Sequence, residues 1–136
     1  KILIDENLPP IFFRELPKIL KISNLEIKLV QEEYGQGVSD IAWFEKYAND
    51  GGRYFLSDDK AIRKKKQEYR AYQDCELTGI FMPKEWSHLP RNEKAALIFV
   101  KWLVIMDQFK RSKSRQMFML KYNMNPRSNS FTEIGS

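Results

Sequence analysis

The sequence contains little cysteine and little histidine, and this scarcity excludes several kinds of site. Cys75 is the only cysteine and His88 the only histidine among the 136 residues. One cysteine cannot form an internal disulfide or a cysteine-based zinc site. The histidine stands in a proline-flanked stretch without a serine or cysteine constellation, so we expect it at the surface or in packing rather than in catalysis. A chain with one thiol suits a reducing compartment, and we expect a cytoplasmic protein.

Long apolar runs, internal repeats and low-complexity segments are also missing. The longest apolar stretch, residues 95–106, is interrupted by Lys101 and is shorter than the roughly 20 residues that a bilayer span requires. We therefore expect no membrane partner. Hydrophobic residues make up 43% of the chain, with three Trp, six Tyr and nine Phe. This supply is enough for one folded core and is not typical of a disordered chain.

Charge is divided unevenly along the chain. Residues 1–59 contain seven Lys or Arg and eleven Asp or Glu, whereas residues 60–136 contain sixteen and seven. Basic clusters of this kind attract polyanions through counterion release, although a solvated helix face is the alternative. We expect RNA as the polyanion, with Tyr69 and Tyr72 either stacking on bases or packing in the protein. The residues predicted to bind RNA are Arg63, Lys64, Lys65 and Lys66.

Apolar and polar residues alternate in patterns that predict an α/β fold. Short apolar or alternating segments predict strands at residues 1–5, 25–30, 53–57 and 77–83. Helices are expected from Leu8, from Ser39 as a cap to Gly51, and over residues 60–73 and 92–110. This order is typical of a mostly parallel central sheet of about four strands flanked by helices.

The last predicted helix and the residues after it leave two alternatives open. One face of the helix over residues 92–110 carries six apolar side chains: Ala95, Ile98, Phe99, Trp102, Met106 and Phe109. This face could pack within one chain, or pair between two copies in a homodimer. Residues 116–122 could form an extra strand or an arm, and the end of the chain is expected to be a polar tail. We therefore divide the chain into a domain over residues 1–110 and a basic extension over 111–136.

Acidic residues follow two of the predicted strands. Asp5 follows the first strand, and Asp58 and Asp59 follow the third, while Asp40 begins a helix after a Gly-containing loop. In an open parallel sheet the carboxyl ends of the strands form the functional crevice. Carboxylates brought together there repel each other, and Mg²⁺ or Mn²⁺ would offset that repulsion. The alternative is that each acid only caps a helix or favours its first turn.

Four segments of this sequence together resemble the PIN-like domains grouped with VapC toxins of bacterial toxin–antitoxin pairs. They are "ILIDENLPP", "GQGVSDIAWFEKYA", "RYFLSDDKAIRKK" with Glu68 after it, and "LTGIFM". The resemblance extends to about residue 110 and implies a three-layer PIN-like fold. It also implies that Asp5, Asp40 and Asp59 hold Mg²⁺ for RNA cleavage. Asn7, Ser57 and Asp58 are the expected pocket residues.

The function expected from these observations is that of a metal-dependent ribonuclease. Metal-activated water would hydrolyse an RNA phosphodiester, as in an endonuclease. A toxin of this kind implies a cognate antitoxin protein as partner. One alternative is a non-catalytic module that binds RNA or a partner protein. Another, a phosphoryl-transfer domain of receiver type, is less favoured because "LTGIFMP" lacks the lysine that such chemistry needs.

Overall fold

Six short strands form one sheet in the computed structural model, which describes residues 2–4, 13–16, 18, 26–35, 39–58, 65–125 and 130–134. The strands are β1 (Ile2–Ile4), β2 (Ile27–Leu29), β3 (Tyr54–Ser57), β4 (Thr78–Phe81), β5 (Met117–Leu120) and β6 (Phe131–Ile134). Their order across the sheet is β2-β1-β3-β4-β5-β6. All neighbouring strands are parallel except β5 and β6, which are antiparallel. The predicted mostly parallel sheet is confirmed, with two further strands.

Helices connect the strands. They are α1 (Val30–Glu33), α2 (Asp40–Asn49), α3 (Lys66–Asp74) and α4 (Arg91–Arg111), with a 3₁₀ helix at Lys84–His88, and residues 13–16 are also helical. The predicted cap of α2 is confirmed, because the Ser39 hydroxyl accepts a hydrogen bond of 3.2 Å from the Ala42 amide. Gly51 follows this helix with a φ of +85°, a value that favours glycine. The predicted helix start at Leu8 lies outside the described residues.

The two faces of the sheet support separate cores. Successive strand residues point to opposite faces, so Leu56 and Ile80 contribute to one core and Phe55 and Phe81 to the other. Helix α4 covers the first face with the buried residues Leu97, Ile98, Trp102, Ile105 and Phe109. Helices α2 and α3 cover the second with Trp43, Phe44, Tyr47 and Tyr72. This three-layer arrangement confirms the predicted α/β fold, with helices on both faces of a mostly parallel sheet.

Two structural predictions for the carboxyl-terminal part need correction, and one alternative is resolved. Residues 131–134 are not a polar tail, because they pair with β5 as strand β6. Strand β5 itself pairs with β4, so residues 117–120 are a strand rather than an arm. Phe99 was expected on the buried face of α4 and is 46% exposed. Ile98, Trp102, Met106 and Phe109 of that face pack within this chain.

Within the described part of the chain, no helix combines the length and the apolar character needed to cross a membrane.

Candidate functional site

Five strands of the sheet, β1 to β5, are parallel, so their carboxyl ends lie along the same side of the sheet. We call one part of that side the carboxyl edge. It consists of the residues that follow β1, β3, β4 and β5. Ile4 in β1 pairs with Leu56 in β3, and Leu56 pairs with Ile80 in β4. Asp5 and the pair Asp58-Asp59 therefore come directly after neighbouring strands. Asp5 and Asp59 themselves lie outside the described residues.

Asp40 is the first residue of α2 and is connected to β3 through Trp43. The indole N–H of Trp43 donates a hydrogen bond of 2.9 Å to the Asp40 carboxylate. Trp43 is almost completely buried and packs edge-on against Phe55 of β3, with 5.3 Å between ring centroids. This packing fixes the amino end of α2 against the sheet. It gives the Asp40 carboxylate a defined position, and the same position also suits a first-turn acid in the helix dipole.

Ser57 and Asp58 are the predicted pocket residues that the structure describes. Ser57 ends β3 and is fully buried, and its carbonyl accepts a hydrogen bond of 3.0 Å from the Met82 amide. Asp58 is half-buried, and its Oδ1 atom is buried. A partly dehydrated carboxylate favours a nearby donor or cation. The third pocket residue, Asn7, lies outside the described residues.

The described residues include one of the three predicted metal ligands. Among the residues that the structure describes, no group of three or more Asp, Glu, His or Cys is arranged to hold a metal ion. Of the three predicted ligands, Asp40 alone is among those residues. The donor chemistry nevertheless fits a hard cation, because Asp40 and Asp58 offer carboxylate oxygens. Mg²⁺ is commonly held by one or two carboxylates together with water and substrate phosphate.

Glu68 brings a further carboxylate to the amino end of α3. It lies in the first turn of that helix and is half-buried. Its Oε2 atom is buried and makes no hydrogen bond to any residue that the structure describes. Helix α3 returns the chain to the start of β4, so its first turn is on the side of the carboxyl edge.

Several exposed lysines surround the carboxyl edge. Lys65 and Lys66 stand at the start of α3, while Lys84 follows β4 and Lys121 follows β5. None of these four cations forms an ion pair with another residue in the described ranges. Lys66 also lines a cavity of about 460 Å³ between α2 and α3. Arg63 and Lys64, the other residues predicted to bind RNA, lie outside the described residues.

Of the two tyrosines considered for base stacking, Tyr72 is buried and Tyr69 is half-buried. Tyr72 is fully buried, and its hydroxyl donates to the Gln116 carbonyl and accepts a hydrogen bond of 3.0 Å from the Gly79 amide. Burial raises the pKa of this hydroxyl. Tyr69 is half-buried and stacks on Tyr72. Of the two alternatives left open for Tyr72, packing in the protein is confirmed, because this side chain belongs to the core between α2, α3 and the sheet.

Sequence reasoning did not identify a second polar cluster near the same edge. Lys101 of α4 is fully buried, and its ammonium group donates to Asn123, Asn125 and Ser130. The only signal in the sequence was that Lys101 interrupts an apolar helix face. Its partners come from 22 to 29 residues further along the chain, so periodicity alone could not reveal them.

Comparison with known families identifies the fold. A family model for PIN-like domains matches residues 1–84. The chain belongs to the PIN-like domain family. The matched part contains β1, α2 and β3, and with them Asp40 at the start of α2 and Asp58 after β3. Comparison with curated proteins and with solved structures gave no match.

Membership indicates a nuclease or RNA-related function, because PIN-like domains are often nucleases. Helix α4 and strands β5 and β6 lie beyond the matched residues. The boundary expected at residue 110 stays a prediction.

Proposed function

We propose that this PIN-like protein is a metal-dependent ribonuclease whose active site is the carboxyl edge of the sheet. The observation that supports this most strongly is the parallel pairing of β1 with β3, with Ile4 opposite Leu56. The acids that follow these strands come from sequence positions more than 50 residues apart, and the carboxyl ends of neighbouring parallel strands are where the crevice of an open α/β sheet forms. Asp40, fixed against β3 through Trp43, supplies the third carboxylate.

In this proposal Asp5, Asp40 and Asp59 hold Mg²⁺ or Mn²⁺. The ion would polarise the phosphate, lower the pKa of water and offset the charge of the leaving oxygen. The chain itself orients the carboxylates: Trp43 donates a hydrogen bond to Asp40, and the buried end of β3 restricts Asp58. Lys65 and Lys66, with Arg63 and Lys64 before them, attract the RNA backbone. Such contacts position a strand without specifying its sequence.

The resemblance to VapC-type proteins supports a role as the toxin of a bacterial toxin–antitoxin pair. The toxin would act in the cytoplasm, where a cognate antitoxin would block the cleft. Expression of the chain in bacteria should arrest growth, and co-expression of the neighbouring gene product should relieve that arrest. Growth that is unaffected by expression of folded protein would contradict the toxin role without contradicting ribonuclease activity.

Cleavage of RNA by matched variants of α2 tests the proposed activity. Asp40→Asn keeps an oxygen that can accept from Trp43 but removes the charge, so cleavage in Mg²⁺ or Mn²⁺ should fall roughly a hundredfold or more. Asp50→Asn is the control, because Asp50 follows the opposite end of α2 and accepts from the Tyr34 hydroxyl at 2.9 Å. Equal cleavage by both variants would reject Asp40 as a ligand.

A non-catalytic RNA-binding or partner-binding module is the second candidate. It is supported by the exposed Lys65, Lys66, Lys84 and Lys121, which can bind RNA phosphate whether or not cleavage follows. The two candidates differ in turnover. Gel shift of RNA without any cleavage in Mg²⁺ or Mn²⁺ would support the binding module and contradict the enzyme.

A further inference from the structure

We propose that the loop Lys121–Asn125, which follows β5, is a subsite for unpaired RNA bases, with Tyr122 as the stacking platform and Lys101 as the residue that positions the loop. This inference rests on the proposed function, because it assigns the substrate that reaches the carboxyl edge. The loop lies beyond the residues that the family model matches. The subsite is therefore a feature of this chain's own carboxyl-terminal part.

A buried ammonium group fixes the conformation of the loop. The Nζ atom of Lys101 donates to Asn123 Oδ1 at 2.6 Å and to Ser130 Oγ at 3.0 Å, and also to the Asn125 carbonyl. Asn123 Oδ1 accepts a second hydrogen bond, of 3.1 Å, from the Asn125 amide. A buried charge is costly unless its donors are satisfied. Two of the three acceptor oxygens come from the loop, from Asn123 and Asn125, and the third comes from Ser130 just before β6. The ammonium group keeps its two loop partners only if the loop keeps this shape.

The loop directs its apolar side chains outward. Asn123 points inward to Lys101, while Tyr122 is 41% and Met124 44% exposed. These are two of the four large hydrophobic side chains that are exposed among the described residues. An aromatic ring held in a fixed loop loses little conformational entropy when it binds a flat partner.

The position of the loop fits a strand of RNA that enters the proposed active site. Strands β3, β4 and β5 are consecutive and parallel, and neighbouring strands are about 4.8 Å apart. Asp58 and Lys121 therefore follow strands separated by about 10 Å. Lys84 follows the strand between them. One short oligonucleotide can contact all three positions.

Charge favours RNA over a protein as the partner of this loop. Lys121 and Lys84 are exposed and form no ion pair with residues in the described ranges. Lysine beside an exposed aromatic ring is the combination that binds single strands, through the phosphate and the base face respectively. Bases in a duplex are already stacked and paired, so the subsite should select single-stranded RNA.

Binding of a fluorescein-labelled single-stranded RNA of about 12 nucleotides tests the subsite by anisotropy. Tyr122→Ala should weaken binding roughly tenfold, because base stacking on an aromatic residue contributes about that much. Tyr122→Phe should restore the affinity, since it keeps the ring. Phe99→Ala is the control, because Phe99 is an exposed aromatic residue on α4, at 46% exposure. Annealing the complementary strand should weaken binding by the wild type more than binding by Tyr122→Ala.

Kinetics of cleavage provide the second measurement. Tyr122→Ala and Lys101→Met should raise KM and leave kcat unchanged, because neither side chain touches the reacting phosphate. Circular dichroism shows whether each variant is folded, and Tyr122→Ala remains decisive if Lys101→Met is not. Unchanged RNA affinity in folded Tyr122→Ala would overturn the inference. The same holds if the variant keeps its RNA affinity but no longer binds a partner protein, because the loop would then be a protein-binding site.

The inference and the proposed function can fail separately. Wild-type protein that binds single-stranded RNA with the predicted order of variants, but does not cleave it, would support the subsite and contradict the ribonuclease. Loss of cleavage in Asp40→Asn, together with equal RNA affinity in all Tyr122 variants, would support the ribonuclease and contradict the subsite. Wild-type protein that binds no RNA would overturn both.

Discussion

At the scale of single residues, Gly79 shows how closely the second core is packed. A Cβ atom at this position would lie 2.6 Å from Cζ of Phe55, and both residues belong to central strands. Gly79→Ala should therefore lower the free energy of unfolding by about 1–3 kcal/mol, measured by urea denaturation.

Replacing Phe55 by a smaller side chain provides the control for this substitution. The double variant Phe55→Leu/Gly79→Ala should lose less unfolding free energy than the two single variants lose in sum. The reason is that the smaller side chain leaves room for the methyl group. Strict additivity, or wild-type stability in Gly79→Ala, would contradict the packing described here.

Lys101 makes stability depend on pH in a direction that can be checked. Burial lowers the pKa of Lys101 from its ordinary value of 10.5. Between the lowered pKa and 10.5 the unfolded chain holds this proton more tightly than the folded chain. The penalty for burying the charge is therefore full below the lowered pKa and disappears as pH rises through that window.

Comparison with Lys101→Met isolates this effect. The unfolding free energy of both proteins is measured by chemical denaturation at neutral pH and near the upper end of the window. As pH rises, the wild type should gain stability relative to Lys101→Met. Buried Tyr72, whose pKa is raised, acts in the opposite direction, but it is present in both proteins and cancels. A difference that stays constant, or shifts towards the variant, would contradict the burial of a charged Lys101.

At the scale of elements, strand β6 joins the end of the chain to the sheet. Deleting residues 123–136 would expose the edge of β5 and remove the oxygens that bind the Lys101 ammonium. We expect a lower thermal midpoint and aggregation at the exposed edge. Deleting Gly135 and Ser136 alone, beyond the end of β6, is the control. A longer deletion that melts like the control would contradict the role of β6.

Elements with a strong local pattern could be predicted from the sequence, and those that depend on distant partners could not. The four predicted strands are apolar or alternating segments next to clear turn residues, and Ser39 caps α2 in the expected way. Strand β6 is four residues long and exposes Thr132 and Glu133, so it resembles a polar tail until β5 is present to pair with it. Phe99 fits the helical period, but it lies at the border of the stripe that the sheet covers.

At the scale of the whole molecule, parallel topology converts sequence order into spatial proximity, so the sequence predicts which strand ends share one edge of the sheet. The site residues at that edge stay a prediction. An acid after each of two strands needs only the pairing of β1 with β3 to reach one edge. For Tyr72 the sequence leaves base stacking and packing open, since it cannot show which side of α3 meets the sheet. Lys101 and the loop after β5 escaped prediction because their contacts join segments more than 20 residues apart.

The central claim is that a divalent ion binds at the carboxyl edge, between residues that the sequence keeps far apart. Crystals of the wild-type protein soaked in Mn²⁺ test this most directly through the anomalous signal of the metal. We expect an ion about 2.1 to 2.5 Å from carboxylate oxygens of Asp5, Asp40 and Asp59. If those oxygens lie on separate faces of the molecule, too far apart to share one ion, binding of a divalent ion at the carboxyl edge is contradicted.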